Sequence, residues 1–416
     1  MTYKLKLKEV SPAQTSNSNL SQGDREMTPS EMFERGYEAD QNSDYYEAVS
    51  WYRKAAEQGY AKAQFNLGVM YENGEGVAQD YFEAINWYRK AAEQGNAYAQ
   101  CNLGYMYENG IGVSQDYSEA LNWYRMAAEQ GNETAQNNLG NMYSNGYGVA
   151  QDYSEAVNWY RMAAEQGYAP AQNNLGNMYC DGEGVDQNYS ASVRWYRKSA
   201  EQGYARAQCN LGYMYNNGYG VDQDYSEAVY WYKKAAEQGN APAQCNIGYM
   251  YEKGAGVDQD YSEAMKWYSR AADNNNLRAK IKMGFLYFEG KGVAKDESRG
   301  IAMIEDAGVE NIDPWGACQI AEYYMNRNPK KALLWATQAY ETADEYFSTV
   351  ESAKILGLIY LKGGKDVYNY SLAVKYLKEG AELDNPKCID ILKSLGEPFE
   401  EPEATVSAGL QTGQEN

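Results

Sequence analysis

From Ala61 onward the chain alternates two apolar patterns. Ala63, Leu67, Met70 and Tyr71 fall at i, i+4, i+7 and i+8, which puts them on one face of a first helix. After a polar stretch, Ala84, Trp87, Tyr88 and Ala91 fall at i, i+3, i+4 and i+7, the face of a second helix. Asp80 followed by Glu83 predicts an N-terminal capping box for that second helix, and the box returns as Asp116/Glu119, Asp152/Glu155, Asp224/Glu227 and Asp260/Glu263. Gly74 and Gly76, between the two patterns, supply the left-handed backbone angles that end a helix and turn the chain.

The whole pattern then repeats. Gly59, Gly95, Gly131, Gly167, Gly203 and Gly239 close the same "AEQG" phrase, each 36 residues after the last, a period typical of solenoids and similar arrays. Seven units span 60–311, the seventh the most worn. One hairpin buries too little apolar surface to offset the entropy of ordering it, so each must stack on its neighbours. The expected fold is all-α: a right-handed superhelical α/α solenoid of stacked antiparallel helix pairs. Residues 28–59 read as an N-terminal capping pair with a short loop, and 312–397 as degenerate repeats closed by one helix. The polar tails 1–27 and 398–416, the second acidic, are expected to be disordered.

With "AEQGYAKAQFNLGVMYENGEGVAQDYFEAINWYRKA" the chain resembles the Sel-1-like repeat, a relative of the tetratricopeptide repeat. The likeness rests on Ala-x-x-x-Leu-Gly-x-x-Tyr, Gly-x-Gly-Val and Ala-x-x-Trp-Tyr-x-x-Ala recurring in fixed register from residue 31 to about 396. The resemblance implies a non-catalytic adaptor whose first helices line a concave groove for a protein or peptide partner.

Composition narrows the chemistry. The formal charge is −21, which disfavours nucleic acid and anionic lipid as partners. The chain has no histidine, so triads and zinc sites built on it are excluded. No cofactor and no metal are expected: the glycine loops lack a preceding strand and a Lys-Ser/Thr, and "DGEGVDQNY" and "DQDYSEA" lack EF-hand spacing. The six cysteines do not form a disulfide framework, unlike a secreted, cysteine-rich branch of the resembled family that includes weak β-lactamases. Ser-x-x-Lys and Lys-Thr-Gly are also missing. No membrane insertion is expected, and without a recognisable signal the compartment reads as cytoplasmic. Two alternatives are a β-lactamase-like or other carboxylate-based hydrolase, and an exported effector that binds a host protein.

Candidate binding residues are those that differ among otherwise equal units. Positions 62, 65, 69 and 72 form a second stripe on the first helix. Position 69 reads Val69, Tyr105, Asn141, Asn177, Tyr213, Tyr249 and Phe285; position 65 includes Asn137 and Asn173. Tyrosine offers area with few rotors and asparagine both donates and accepts, a mixture that suits an extended polypeptide. Beside the stripe stand Asn66, Asn102, Asn138, Asn174, Asn210 and Asn246, with Lys282 last. These either bond a ligand, as the resemblance implies, or brace neighbouring helices.

Overall fold

A computed structural model describes residues 26–308, 311–343 and 346–399. Residues 1–25 and 400–416, which carry most of the two expected tails, lie outside it. The chain divides into two compact units, Met1–Trp231 and Tyr232–Asn416. Among the described residues there are 21 helices and no strand.

The first unit runs α1 (Pro29–Gln41), α2 (Tyr45–Glu57), α3 (Ala61–Asn73), α4 (Tyr81–Glu93), α5 (Ala97–Asn109), α6 (Tyr117–Glu129), α7 (Glu133–Asn145), α8 (Tyr153–Glu165), α9 (Ala169–Asp181), α10 (Tyr189–Glu201) and α11 (Ala205–Asn217). The unit boundary falls inside α12 (Tyr225–Glu237). The second unit continues with α13 (Ala241–Lys253), α14 (Tyr261–Asp273), α15 (Leu277–Glu289), α16 (Glu297–Ala307), α17 (Pro314–Met325), α18 (Pro329–Glu341), α19 (Tyr346–Lys362), α20 (Tyr370–Glu382) and α21 (Pro386–Leu395). Within each unit the helices pair into hairpins that stack on their sequence neighbours, so the all-α repeat fold is as expected.

The regular hairpins close on a glycine. A Cβ placed on Gly68 would stand 2.6 Å from the Tyr88 ring, and one on Gly140 2.7 Å from the Tyr160 ring. The Leu-Gly pair of the repeat is therefore the gap into which the second helix lays its tyrosine. Gly76 has two duties: its φ of +70° turns the loop, and a Cβ there would meet the Tyr45 carbonyl oxygen of the preceding hairpin at 2.2 Å. The loop thus seats directly on its neighbour's second helix.

The capping box is half made. Asp80 accepts from the amides of Phe82 and Glu83 at 3.0 and 3.1 Å, as predicted. Its own amide, however, donates to the Tyr71 carbonyl at 3.0 Å, and those of Asp116, Asp152 and Asp260 donate to Tyr107, Tyr143 and Tyr251 at 2.9 Å each. The glutamate has no N-cap amide left to accept from, so at Glu155 it takes the Trp159 indole instead, at 2.8 Å. The full reciprocal box forms at Thr28 and Glu31, where the Thr28 amide donates to the Glu31 carboxylate at 2.8 Å.

The core lies at the seams. One cluster joins Phe65 of α3, Ile85 and Tyr88 of α4, and Leu103 and Met106 of α5. Buried in the same seam, Gln100 donates to the last-turn Ala92 carbonyl of α4 at 3.0 Å and accepts from Gln130 at 2.7 Å. Gln64, Gln136 and Gln172 repeat this arrangement at 3.1 and 2.7 Å. A helix ends with unpaired carbonyls, and here one that neighbours would shut away from water receives a side-chain donor. On the other edge Arg89 bonds the Tyr107 hydroxyl at 2.9 Å, again across a seam.

In the second unit Gln244 keeps its bond to Ala236 at 3.1 Å. One period later the position holds Lys280, ion-paired with Asp306. Further along, Lys331 pairs with Glu305 at 2.7 Å, and Lys354, 5% exposed, bonds Glu351. Ion pairs replace the amide ladder where the repeat wears out.

Gln136→Leu is expected to destabilise the fold by about 1–3 kcal/mol, because it leaves the Ala128 carbonyl and Gln166 amide without their partner. Exposed Asn122→Ala is expected to stay within about 0.5 kcal/mol. Urea unfolding followed by circular dichroism measures both.

Candidate partner-binding face

The variable positions do not share one environment. Position 65 departs from the expected open stripe: Asn137 and Asn173 are 6% and 4% exposed, and Phe65, Cys101, Cys209 and Cys245 are buried too. That point of the first helix leans into the seam. Position 69 is open at Tyr105 and Tyr213, 40% and 47% exposed, and half-buried at Asn141, Asn177, Tyr249 and Phe285.

The amides in the middle of the first unit form a lattice. Asn174 donates to Asn137 at 3.0 Å and Asn141 at 3.3 Å; Asn210 donates to Asn173 at 3.0 Å and Asn177 at 3.3 Å. Asn137 in turn donates to Asn138 at 3.3 Å. Asn66, Asn102 and Asn138 lie against the hydroxyls of Tyr52, Tyr88 and Tyr124 of the preceding hairpin and favour their ionised form. Asn174 and Asn210 thus brace neighbouring helices, so a ligand reaching them would have to share or displace such bonds. Asn246 is half-buried in α13.

One source of variation was missed. Tyr88 and Tyr124 donate to Glu72 and Glu108 at 2.5 and 2.6 Å. Where that glutamate becomes Ser144 or Cys180, Tyr160 and Tyr196 turn to Asn141 and Asn177 at 2.8 and 2.7 Å. Positions 69 and 72 therefore change together because a buried phenol needs an acceptor from one of them. The signal was in the sequence: asparagine fills position 69 in the two units where position 72 is Ser144 or Cys180.

The site offers contact rather than chemistry. Burial, followed by the Glu72 charge, holds the Tyr88 phenol well above its usual pKa. Burial, followed by the Glu133 and Glu108 charges, pushes the Cys101 thiol up to about 12. Both stay protonated at neutral pH and neither is a nucleophile. Among the described residues no group of His, Cys, Asp and Glu could hold a metal, and no helix is long and apolar enough to cross a membrane.

Stacked α-hairpins with a variable face on the first helix define a class of repeat proteins that act through contact. The model of the Sel1 repeat matches ten stretches: 30–60, 61–96, 97–132, 134–168, 169–204, 205–240, 241–276, 277–305, 321–341 and 350–385. The chain belongs to the Sel1 repeat family, whose members are in general protein-interaction scaffolds. Among solved structures it is similar to c5321, described as a protective antigen present in uropathogenic Escherichia coli strains and displaying an SLR fold. The two share 36% identity over 90% of this chain and 81% of that one, with a TM-score of 0.77. A Sel1 repeat protein from Oxalobacter formigenes is also 36% identical, over 58% of this chain and 96% of its own, with a TM-score of 0.55. A search of the curated proteins found no match.

The shifted thiols and phenols make stability depend on alkaline pH. Cys101 rises from 9.0 to about 12 on folding, so above pH 9 the unfolded chain loses a proton that the folded chain keeps, and stability falls as pH rises through that window. Tyr88, raised from 10.0, acts in the same direction at higher pH. The urea midpoint is expected to hold between about pH 7 and 9 and to drop by about pH 10.5.

Proposed function

We propose that this protein is a non-catalytic adaptor that binds an extended segment of a partner protein along the first-helix face. Its support is the pair of exposed tyrosines on α5 and α11, Tyr105 and Tyr213, in a column where the intervening members are braced amides. Three periods separate them, roughly 30 Å at about 10 Å per hairpin. That length corresponds to about nine residues of extended chain at about 3.3 Å each. Tyr249 stands in the same column of the second unit. No cofactor takes part in this reading, and the working compartment is the cytoplasm.

Capture of partners from lysate of the native cell tests it. Tyr105→Ala/Tyr213→Ala is expected to lose a partner that the unaltered chain retains, since buried aromatic anchors contribute about 2 kcal/mol or more each. Equal recovery by both would overturn the proposal. Incubation with a chromogenic β-lactam is expected to give no turnover above buffer. A second reading, export, draws support from the description of c5321 as a protective antigen. Fractionation of the native cell decides between the two compartments.

A further inference from the structure

The second unit breaks the repeat with positive charge. Position 66 is asparagine in six successive hairpins and becomes Lys282 on α15; position 62 is basic at Lys62 and Arg206, holds Tyr98, Thr134, Pro170 and Pro242 in other units, and is Arg278 on α15, so of the seven units only this one carries a cation at both positions. Four residues apart, the two lie on one side of that helix. Lys282 Nζ lies 5.8 Å from the centre of the Tyr249 ring on α13, and Lys253 Nζ lies 5.7 Å from it. The charges of Arg278 and Lys282 both favour the thiolate of nearby Cys245, which burial opposes more strongly.

Of these cations only Lys253 has a carboxylate partner among the described residues. Lys253 pairs with Glu252 at 3.3 Å, and the other oxygen of that carboxylate accepts from Tyr268 at 2.7 Å. Among the described residues neither Arg278 nor Lys282 has a carboxylate within 4.0 Å. In a chain of net charge −21, two unpaired cations one helical turn apart on α15, Lys282 of them beside the Tyr249 ring, mark a place where negative charge is wanted from outside.

We infer that the α13–α15 face, built on Tyr249, Arg278 and Lys282, binds an acidic, Asp/Glu-rich segment of a partner protein. This rests on the adaptor reading and names the chemistry of the partner for the second unit. Selectivity comes from contact rather than steering. The net charge repels an acidic chain at a distance, but at about 0.1 M salt that repulsion is screened beyond about 10 Å, while pairs formed at the face persist. A carboxylate accepts both from the Arg278 fork and from the Lys282 ammonium, and the Tyr249 ring supplies apolar area beneath them.

Fluorescence anisotropy on the full chain tests this, with labelled peptides of about twelve residues alternating Ser with Glu, Gln or Lys. At about 0.1 M salt the Glu peptide is expected to bind at least about tenfold more tightly than the Gln peptide and to weaken by a similar factor at about 0.5 M. Arg278→Thr/Lys282→Asn restores residues that the same columns carry at Thr134 and Asn246. This variant is expected to keep its helical circular dichroism and to lose at least about tenfold in Glu-peptide affinity. Asn122→Ala, exposed on α6 of the first unit, is expected to bind the Glu peptide normally. Equal binding of the Glu and Gln peptides, or an unchanged affinity in the folded double variant, overturns the assignment. If either happens while the tyrosine variant still loses its captured partner, the adaptor reading stands and the acidic specificity falls.

Discussion

The structure depends on hiding the end of one helix beneath the start of the next. The last turn of each second helix leaves carbonyls without donors, and stacking takes them away from water. A buried, unpaired carbonyl costs about 1–3 kcal/mol, which would recur at each seam. The glutamine of the Ala-x-Ala-Gln phrase removes that cost by donating to one such carbonyl while its own oxygen accepts from the glutamine that ends the same hairpin. Its position beside fully buried alanines is what allows the close approach. The regularity of the sequence follows from this, because a seam works only if both of its sides carry the matching residue.

The remaining constraints are also seam constraints. The glycine after the conserved-register leucine makes room for a tyrosine ring, and the second loop glycine makes room for a neighbour's backbone. The arginine of the Trp-Tyr-Arg phrase crosses to the next hairpin's tyrosine hydroxyl. Little of the 36-residue pattern is left to vary once these are met. Among the positions left free to vary are first-helix ones whose side chains do not reach the seam, such as Tyr105 and Tyr213, and the stacked hairpins present them at a regular spacing. Such pre-ordering lowers the entropy lost when a partner binds.

The worn end of the repeat shows the same logic with different chemistry. Lys280 stands where glutamine stood and pairs with Asp306 of its own hairpin; Lys354 is buried against Glu351 of its own helix. Paired charges there meet the need for polar partners that paired amides meet in the first unit. Arg278 and Lys282 on the α13–α15 face differ from these in having no carboxylate paired with them among the described residues.

Much was legible from residues alone. Periodicity placed the helix pairs, because apolar spacing reports which face meets a neighbour, and Asp80 and Thr28 were readable as caps because capping is local. The absence of histidine and the motif register set the class of chemistry and the family. What tertiary structure alone decided was the fate of individual polar atoms. Asn137 and Asn173 look like exposed contact residues in a column that varies, yet they lie in a seam and hold Asn174 and Asn210. Glu83 looks like half of a capping box, yet the Asp80 amide is already bonded to Tyr71. The sequence determined the hairpins and their order, since those follow from spacing along one chain. Which amide is open to a partner and which is tied to a neighbour depends on distances between hairpins, and no spacing within a single hairpin encodes them.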